Sequence, residues 1–244
     1  MKTLFLIDSH ALIHRFFHAL PPLTTPAHEP IQAIYGLCGI LLKLFRERRP
    51  DYAAAAFDRP EPTFRKEQFD DYKIHRPPTA PDLIAQIIRA PEVFKHFGVP
   101  VFSAAGFEAD DIIGTLAMRF AGEPEVRVEM LSGDLDLLQL VRGENIVADI
   151  VKTGMSDMTV YTEEKVKERY GLMPRQLVDY KALVGDASDN IPGVKGIGPK
   201  TARELLGEFA TLENVYDNLG LIPAKTTQKL ESQKNAAFLS KQLA

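Results

Sequence analysis

The chain has one cysteine among 244 residues, so no disulfide framework can form within it, which fits a reducing compartment. Cys38 itself sits in the apolar run IYGLCGILLKLF, the setting of a small buried side chain rather than a reactive thiol. Long hydrophobic runs are missing too. The opening MKTLFLIDSHALIH is broken at Asp8, too short and too charged for a signal peptide or a membrane span, so a cytoplasmic protein with no membrane partner is expected. There is no long repeat, low-complexity tract or flexible linker. Nor is there an excess of positive charge: 29 basic and 33 acidic residues leave a net charge of −4, which at first argues against a nucleic-acid partner. That argument fails if many acids are metal ligands, because with nine of them set aside the basic residues outnumber the rest.

What is present suits a soluble globular chain with a substantial core, at 45% hydrophobic and 25% charged residues. TLFLI (3–7), YAAAAF (52–57), VPVF (99–102) and VRVEML (126–131) are brief apolar runs bounded by turn or charge signals, the pattern of buried strands. Helical periodicity fills 31–48, 82–97 and 109–120, with Pro91 expected to kink or divide the second. Alternation of strand and helix predicts an α/β fold with a mostly parallel, doubly wound sheet over 1–161. From residue 162 the texture changes to short helices: TEEKVKERYG, PRQLVDYKALVG, PKTARELLGEF and TLENVYDNL. A tightly packed C-terminal helical subdomain over 162–244 is expected. The stretch at about 60–82 interrupts the α/β rhythm and is too long for an ordinary connection, as lids and binding loops are.

The acids fall at strand ends. Asp8 follows the first strand, Asp58 the second, and Asp134 and Asp136 the strand ending at Leu131. In open parallel sheets the crevice at the carboxyl ends of the strands is where ligands bind. FEADDIIG adds Glu108, Asp110 and Asp111 at a helix start, and GDASDN adds Asp186 and Asp189. Each acid alone reads equally well as a turn or helix cap. Together they would repel strongly at one rim unless cations neutralised them. An all-carboxylate set favours Mg²⁺ or Mn²⁺ over zinc. His10, His14 and His18 stand four apart and leave a zinc site open as an alternative to polar helix positions, with Arg15 among them offering a phosphate contact.

In IPGVKGIGPKTA, Gly196 and Gly198 would let backbone N–H groups approach a phosphate ahead of a helix beginning near Pro199, with Lys195 and Lys200 adding charge. Such contacts bind duplex without reading sequence. The plain alternative is a helix-turn-helix packing motif. In the insertion, Phe64, Arg65, Lys66, Tyr72, Lys73, His75 and Arg76 interleave aromatic and basic groups, the composition that stacks unpaired bases and grips phosphates. Here the alternative is a solvated surface helix.

FEADDIIG, SGDLDLLQLV, YKIHRPPT and GDASDNIPGVKGIGPKTA resemble the motifs of the 5′ nuclease (flap endonuclease) family, in particular the 5′→3′ exonuclease domain of bacterial DNA polymerase I, from about residue 4 to about residue 240. The resemblance implies a PIN-like sheet with flanking helices, a helical arch at the 60–82 insertion, and a helix-hairpin-helix variant at about 185–206. It implies cutting of 5′ flaps and 5′ ends, including RNA primers, with two or more Mg²⁺ or Mn²⁺ ions, and DNA with a flap, nick or overhang as partner. By position it makes Asp8, Asp58, Glu108, Asp110, Asp111, Asp134, Asp136, Asp186 and Asp189 metal-site acids. Lys73 and Arg76 become the arch residues that engage the scissile phosphate, and carbonyls near 193–198 a K⁺ site. Leu135 stands where the family often has lysine, and PAHEPIQ (26–32) departs from the usual Gly- and Thr-containing loop. A stand-alone nuclease and a domain excised from a polymerase both stay open. Rival readings are a phosphatase using Asp8, Asp134 or Asp136, a catalytically silent DNA-binding module, and an RNA-directed nuclease that would leave the hairpin without a job.

Overall fold

A computed structural model describes residues 1–153 and 157–244. In chain order the elements are β1 (Lys2–Asp8), α1 (Ser9–Ala19), α2 (Gln32–Lys43), β2 (Tyr52–Ala56), α3 (Phe64–Gln68), α4 (Pro81–His96), β3 (Val101–Phe102), α5 (Ala109–Phe120), β4 (Val126–Ser132), β5 (Ile146–Thr153) and β6 (Asp157–Tyr161). Six helices follow: α6 (Glu163–Tyr170), α7 (Leu177–Val184), α8 (Pro199–Phe209), α9 (Leu212–Asp217), α10 (Ala224–Ser232) and α11 (Lys234–Leu243). The chain divides into a sheet unit, Met1–Glu61 with Pro78–Thr162, and a helical unit, Pro62–Pro77 with Glu163–Ala244.

The sheet runs in the order β3-β2-β1-β4-β5-β6. Its first five strands are parallel, and β6 is antiparallel to β5. The mixed α/β fold is therefore the expected one, with two more strands than the four apolar runs announced. β5 is disguised by Asp149 in the middle of IVADIVKT, a charge that reads as exposed. Asp149 is in fact buried, and Arg48 Nη1 donates to its Oδ2 at 3.1 Å while Nη2 contacts Glu129 on β4. Arg48 ends a π-helical turn, Leu44–Arg48, that extends α2. Burial still pushes the Asp149 carboxyl up to about 6, against the pull of Arg48.

Phe5, Ile7 and Leu131 of the sheet pack with Leu12, Ile13 and Phe16 of α1 and Leu37, Ile40 and Leu41 of α2. α1 and α2 lie so close that a Cβ on Gly36 would stand 2.5 Å from the Phe16 ring, which leaves glycine as the residue that fits. α4 runs unbroken from Pro81 to His96 through Pro91, so the proline does not divide it. Its buried stripe of Leu83, Gln86, Ala90 and Phe94 holds the helix across the one missing N–H. Gln86 also supplies the cap that α2 lacks, its Oε1 accepting from Ala33 N at 2.7 Å.

The helical unit has its own core, including Leu183, Ala202, Leu206, Leu212, Val215 and Ala237. Pro199 occupies the first turn of α8, where its missing N–H costs nothing. Residues 62–77 group with this unit rather than with the sheet. Arg65 is buried and donates to the carbonyl of Leu243 at 2.9 Å, and Tyr72 packs with Ile191 and Leu243.

Candidate active site

Strand ends carry the first acids. Asp8 is the last residue of β1 and the cap of α1: its Oδ1 accepts from Ala11 N at 3.1 Å. Its Oδ2 accepts from Ser132 Oγ at 2.6 Å, and the same hydroxyl accepts from Asp134 N at 2.9 Å. Ser132, at the end of β4, thus ties the ends of two strands together. The sequence reading missed it, because serine in SGD passes for a turn residue. Its only signal is its place directly after an apolar strand and before the DLD acids.

Asp134 Oδ1 accepts from Asp136 N at 3.0 Å, and Asp58 Oδ1 accepts from Ala109 N at 2.7 Å, at the first turn of α5. Glu108 and Asp111 form a reciprocal capping box there, with Glu108 N donating to Asp111 Oδ2 at 2.9 Å. The cap reading thus describes Glu108, Asp111 and Asp58.

Electrostatics identify which acids are neighbours. Asp110 is driven well above its ordinary value by burial first, then by the charges of Asp8, Asp134, Asp136 and Asp58. Asp8 is pushed up to about 7 by burial, outweighing the Ser132 and Ala11 hydrogen bonds, with Asp58 and Asp134 adding repulsion. Five carboxylates, at the end of β1, just after β2, in the first turn of α5 and just after β4, therefore share one locality. Among the described residues, no lysine or arginine ion pair is found at Asp8, Asp110 or Asp134. Also among the described residues, no three of His, Cys, Asp and Glu stand in an arrangement that would itself hold a metal ion. The fit to a divalent cation rests on donor chemistry: an oxygen-only set whose mutual repulsion a hard ion relieves.

His10 Nε2 stands 3.9 Å from Asp58 Oδ2, and the rings of His10, His14 and His18 follow one another along α1 at centroid distances of 5.3 and 6.5 Å. Arg15, on the same helix, donates to the carbonyl of Gly133 at 3.2 Å and supports the turn that presents Asp134.

The remaining expected residues lie in the helical unit. Asp186 accepts from Lys181 Nζ at 2.8 Å and from Ser188 N and Oγ. Burial opposes that ionisation, but Lys181 and Ser188 win and hold Asp186 down at about 2. Asp189 is buried, receives Arg76 Nη2 at 2.6 Å and the Tyr72 hydroxyl at 3.3 Å, and has Lys73 Nζ at 3.9 Å. Lys73 also donates its backbone N–H to the Asp189 carbonyl at 2.9 Å and takes a left-handed φ of 55°. The structure thus gathers Asp189, Tyr72, Lys73 and Arg76 into one network. Arg65 and Tyr72, expected on a nucleic-acid surface, are both buried. Lys195, Gly196, Gly198 and Lys200 are exposed on the hairpin and the start of α8. Gly196 has φ 90°, which favours glycine. A Cβ on Gly198 would meet nothing within 4 Å, so the protein's own packing does not require glycine there.

A family model described as 5′-3′ exonuclease, N-terminal resolvase-like domain, matches residues 3–171, and one described as 5′-3′ exonuclease, C-terminal SAM fold, matches 172–244. The chain belongs to the 5′-3′ exonuclease family. It is 45% identical over 244 residues to DNA polymerase I of Caldicellulosiruptor bescii, covering 99% of this chain and 28% of that protein. It is 41% identical to the 5′-3′ exonuclease of Aquifex aeolicus over 89% of this chain and 73% of that one. The chain thus spans under a third of the polymerase relatives it matches. Among solved structures, T5 5′-exonuclease with bound divalent metal ions (zinc) has a TM-score of 0.78 at 22% identity, covering 99% of this chain and 89% of that one. The catalytic core of Rad2 with DNA substrate has a TM-score of 0.58 at 17% identity, over 99% and 77% of the two chains. At these identities the likeness is one of fold. Among the described residues of this family member, no helix is long and apolar enough to cross a membrane.

Proposed function

We propose that the chain is a structure-selective 5′ nuclease that hydrolyses phosphodiester bonds at 5′ flaps and 5′ ends of DNA, RNA-primed strands included, using two Mg²⁺ or Mn²⁺ ions. The carboxylate cluster carries this reading. Asp8, Asp58, Asp110, Asp134 and Asp136 crowd together at the ends of β1, β2 and β4 and the start of α5, and burial and repulsion hold Asp8 and Asp110 toward protonation. These five would hold the ions, with Glu108 and Asp111 orienting the first turn of α5. Bound divalent ions supply positive charge beside the phosphate and an acidified water.

The chain's own groups do the placing. Ser132 fixes Asp8 relative to Asp134, and Arg15 fixes the turn at Gly133. Lys73 and Arg76 are assigned to the scissile phosphate, whose oxygens would replace the Asp189 carboxylate as their partner. Asp186 and Asp189 carry cations of their own unit, so a metal role for either requires exchange of Lys181, or of Arg76 and Lys73. The hairpin with Lys195, Gly196, Gly198 and Lys200 is assigned to duplex phosphates. A polymerase portion, as in the longer relatives, is the proposed partner in cis.

Incubation of a 5′-labelled flap with and without Mg²⁺ tests the reading. Metal-dependent release of the flap, leaving a 5′-phosphate on the duplex, is expected. An uncut flap that is still bound would assign a silent DNA-binding module, and turnover of a small chromogenic phosphate ester a phosphatase.

A further inference from the structure

Four polar backbone groups of the 193–198 hairpin are tied by side chains from α10, α11 and the residue between them. Ser240 Oγ accepts from Gly193 N at 2.9 Å. The Gln233 carboxamide grips Lys195 twice, Oε1 accepting from its N–H at 2.8 Å and Nε2 donating to its carbonyl at 3.1 Å. Lys229 Nζ donates to the Gly196 carbonyl at 2.7 Å. Gln233 Nε2 also reaches the Lys229 carbonyl at 3.3 Å, which links the two braces.

These contacts orient two peptide planes. In a trans peptide the C=O and the next N–H point oppositely. Turning the Lys195 carbonyl toward Gln233 therefore turns the Gly196 N–H away from it. The following plane is fixed at both ends, its carbonyl by Lys229 and its N–H, on Ile197, by the Val194 carbonyl at 2.9 Å. Ahead lies the open space beside Gly198, followed by the first-turn N–H groups of α8, which have no acceptor within the helix.

We propose that Lys229 and Gln233 are positioning residues for duplex-phosphate binding. They hold the hairpin with the Gly196 N–H presented outward, and the Lys229 ammonium serves as a tethered cation at the Gly196 carbonyl. This rests on the hairpin being a phosphate-binding element. The carbonyl that a solution cation such as K⁺ would take is already engaged by the protein's own ammonium, so duplex binding does not depend on which monovalent ion is supplied.

The test measures the affinity of the full chain for a nicked duplex by fluorescence anisotropy, in Ca²⁺ to prevent cutting, at equal ionic strength in KCl or tetramethylammonium chloride. Wild-type affinity should agree within about twofold between the salts. Lys229→Met should bind roughly tenfold more weakly in tetramethylammonium, the scale of one lost charge-assisted hydrogen bond. KCl should restore most of that loss, and Lys229→Arg should match wild type in both salts. Amide exchange at 194–198, read without DNA, should quicken in Lys229→Met and slow again with KCl. A loss equal in both salts would make Lys229 a plain charge on DNA and overturn the proposal, as would unchanged affinity and exchange. Wild-type protein that binds no duplex overturns the phosphate reading and this role together. Wild-type binding with an indifferent variant overturns this role alone.

Discussion

The acids at the sheet's strand ends and the aspartates of the helical unit are treated in opposite ways, and Asp149, buried in the sheet with Arg48 at 3.1 Å, follows the helical pattern. In the helical unit Asp186 has Lys181 at 2.8 Å, Asp189 has Arg76 at 2.6 Å, and Asp179 has Lys241 at 2.6 Å. In the sheet unit Asp8 and Asp110 are pressed by other carboxylates. A carboxylate with a cation of its own unit is electrostatically satisfied. One surrounded by like charge keeps an unfavourable interaction that a cation from solution removes. Local sequence does not separate the two groups, since GDASDN carries two closely spaced aspartates as FEADD does; surroundings do.

The largest expected effect breaks that comparison on the sheet side. Asp134→Ala should lower flap cleavage by at least about 10³-fold while leaving flap binding largely intact, read by gel assay and anisotropy. Comparable turnover would remove Asp134 from the site.

Next comes a pair of glycines in the helical unit. A Cβ at Gly193 would stand 2.3 Å from the backbone N of Gly185, at φ 62°, whereas Gly198 has open space and an ordinary φ of −98°. Gly193→Ala should cost about 3 kcal/mol or more in urea unfolding. Gly198→Ala should leave stability within about 0.5 kcal/mol and weaken duplex binding. Equal stability losses would show that Gly198 is kept for packing.

Asp186 and Asp8 should also respond to pH with opposite sign. Asp186 is lowered from 3.8 to about 2, so its contribution is present above pH 4 and is lost as pH falls through 2. Lys181→Met should cost about 2 kcal/mol at pH 7. Asp8 is raised from 3.8 to about 7, so the metal-free fold binds more protons than the unfolded chain, and its stability falls as pH rises from about 4 to about 7. Asp110→Asn should relieve that crowding by about 1–2 kcal/mol and raise the metal-free melting temperature at pH 8 by roughly 3–6 °C. A lower melting temperature would mean that the crowding is already compensated.

The strand-end acids were legible because short apolar runs with abrupt polar ends mark both the strands and the rim where ligands meet a parallel sheet. Ser132 was not, since its role comes from joining two strands rather than from its neighbours in sequence. β5 was hidden by Asp149, whose partner Arg48 lies 101 residues earlier. The burial of Arg65 was hidden likewise, its acceptor being 178 residues away. Alternating aromatic and basic residues give composition, and which of them turn inward is decided by contacts the local pattern does not contain. The hairpin's glycines were legible as a turn. The braces at Lys229 and Gln233 were not, for their acceptors lie 33 and 38 residues earlier in the chain.

A calorimetric titration with Mg²⁺ near pH 6.5, repeated in buffers of different ionisation enthalpy, tests most directly whether the crowded carboxylates await a cation. Saturable binding with net proton release is expected, weakened in Asp110→Asn and unchanged in Lys181→Met. Binding that releases no protons, or that survives Asp110→Asn intact, would contradict it.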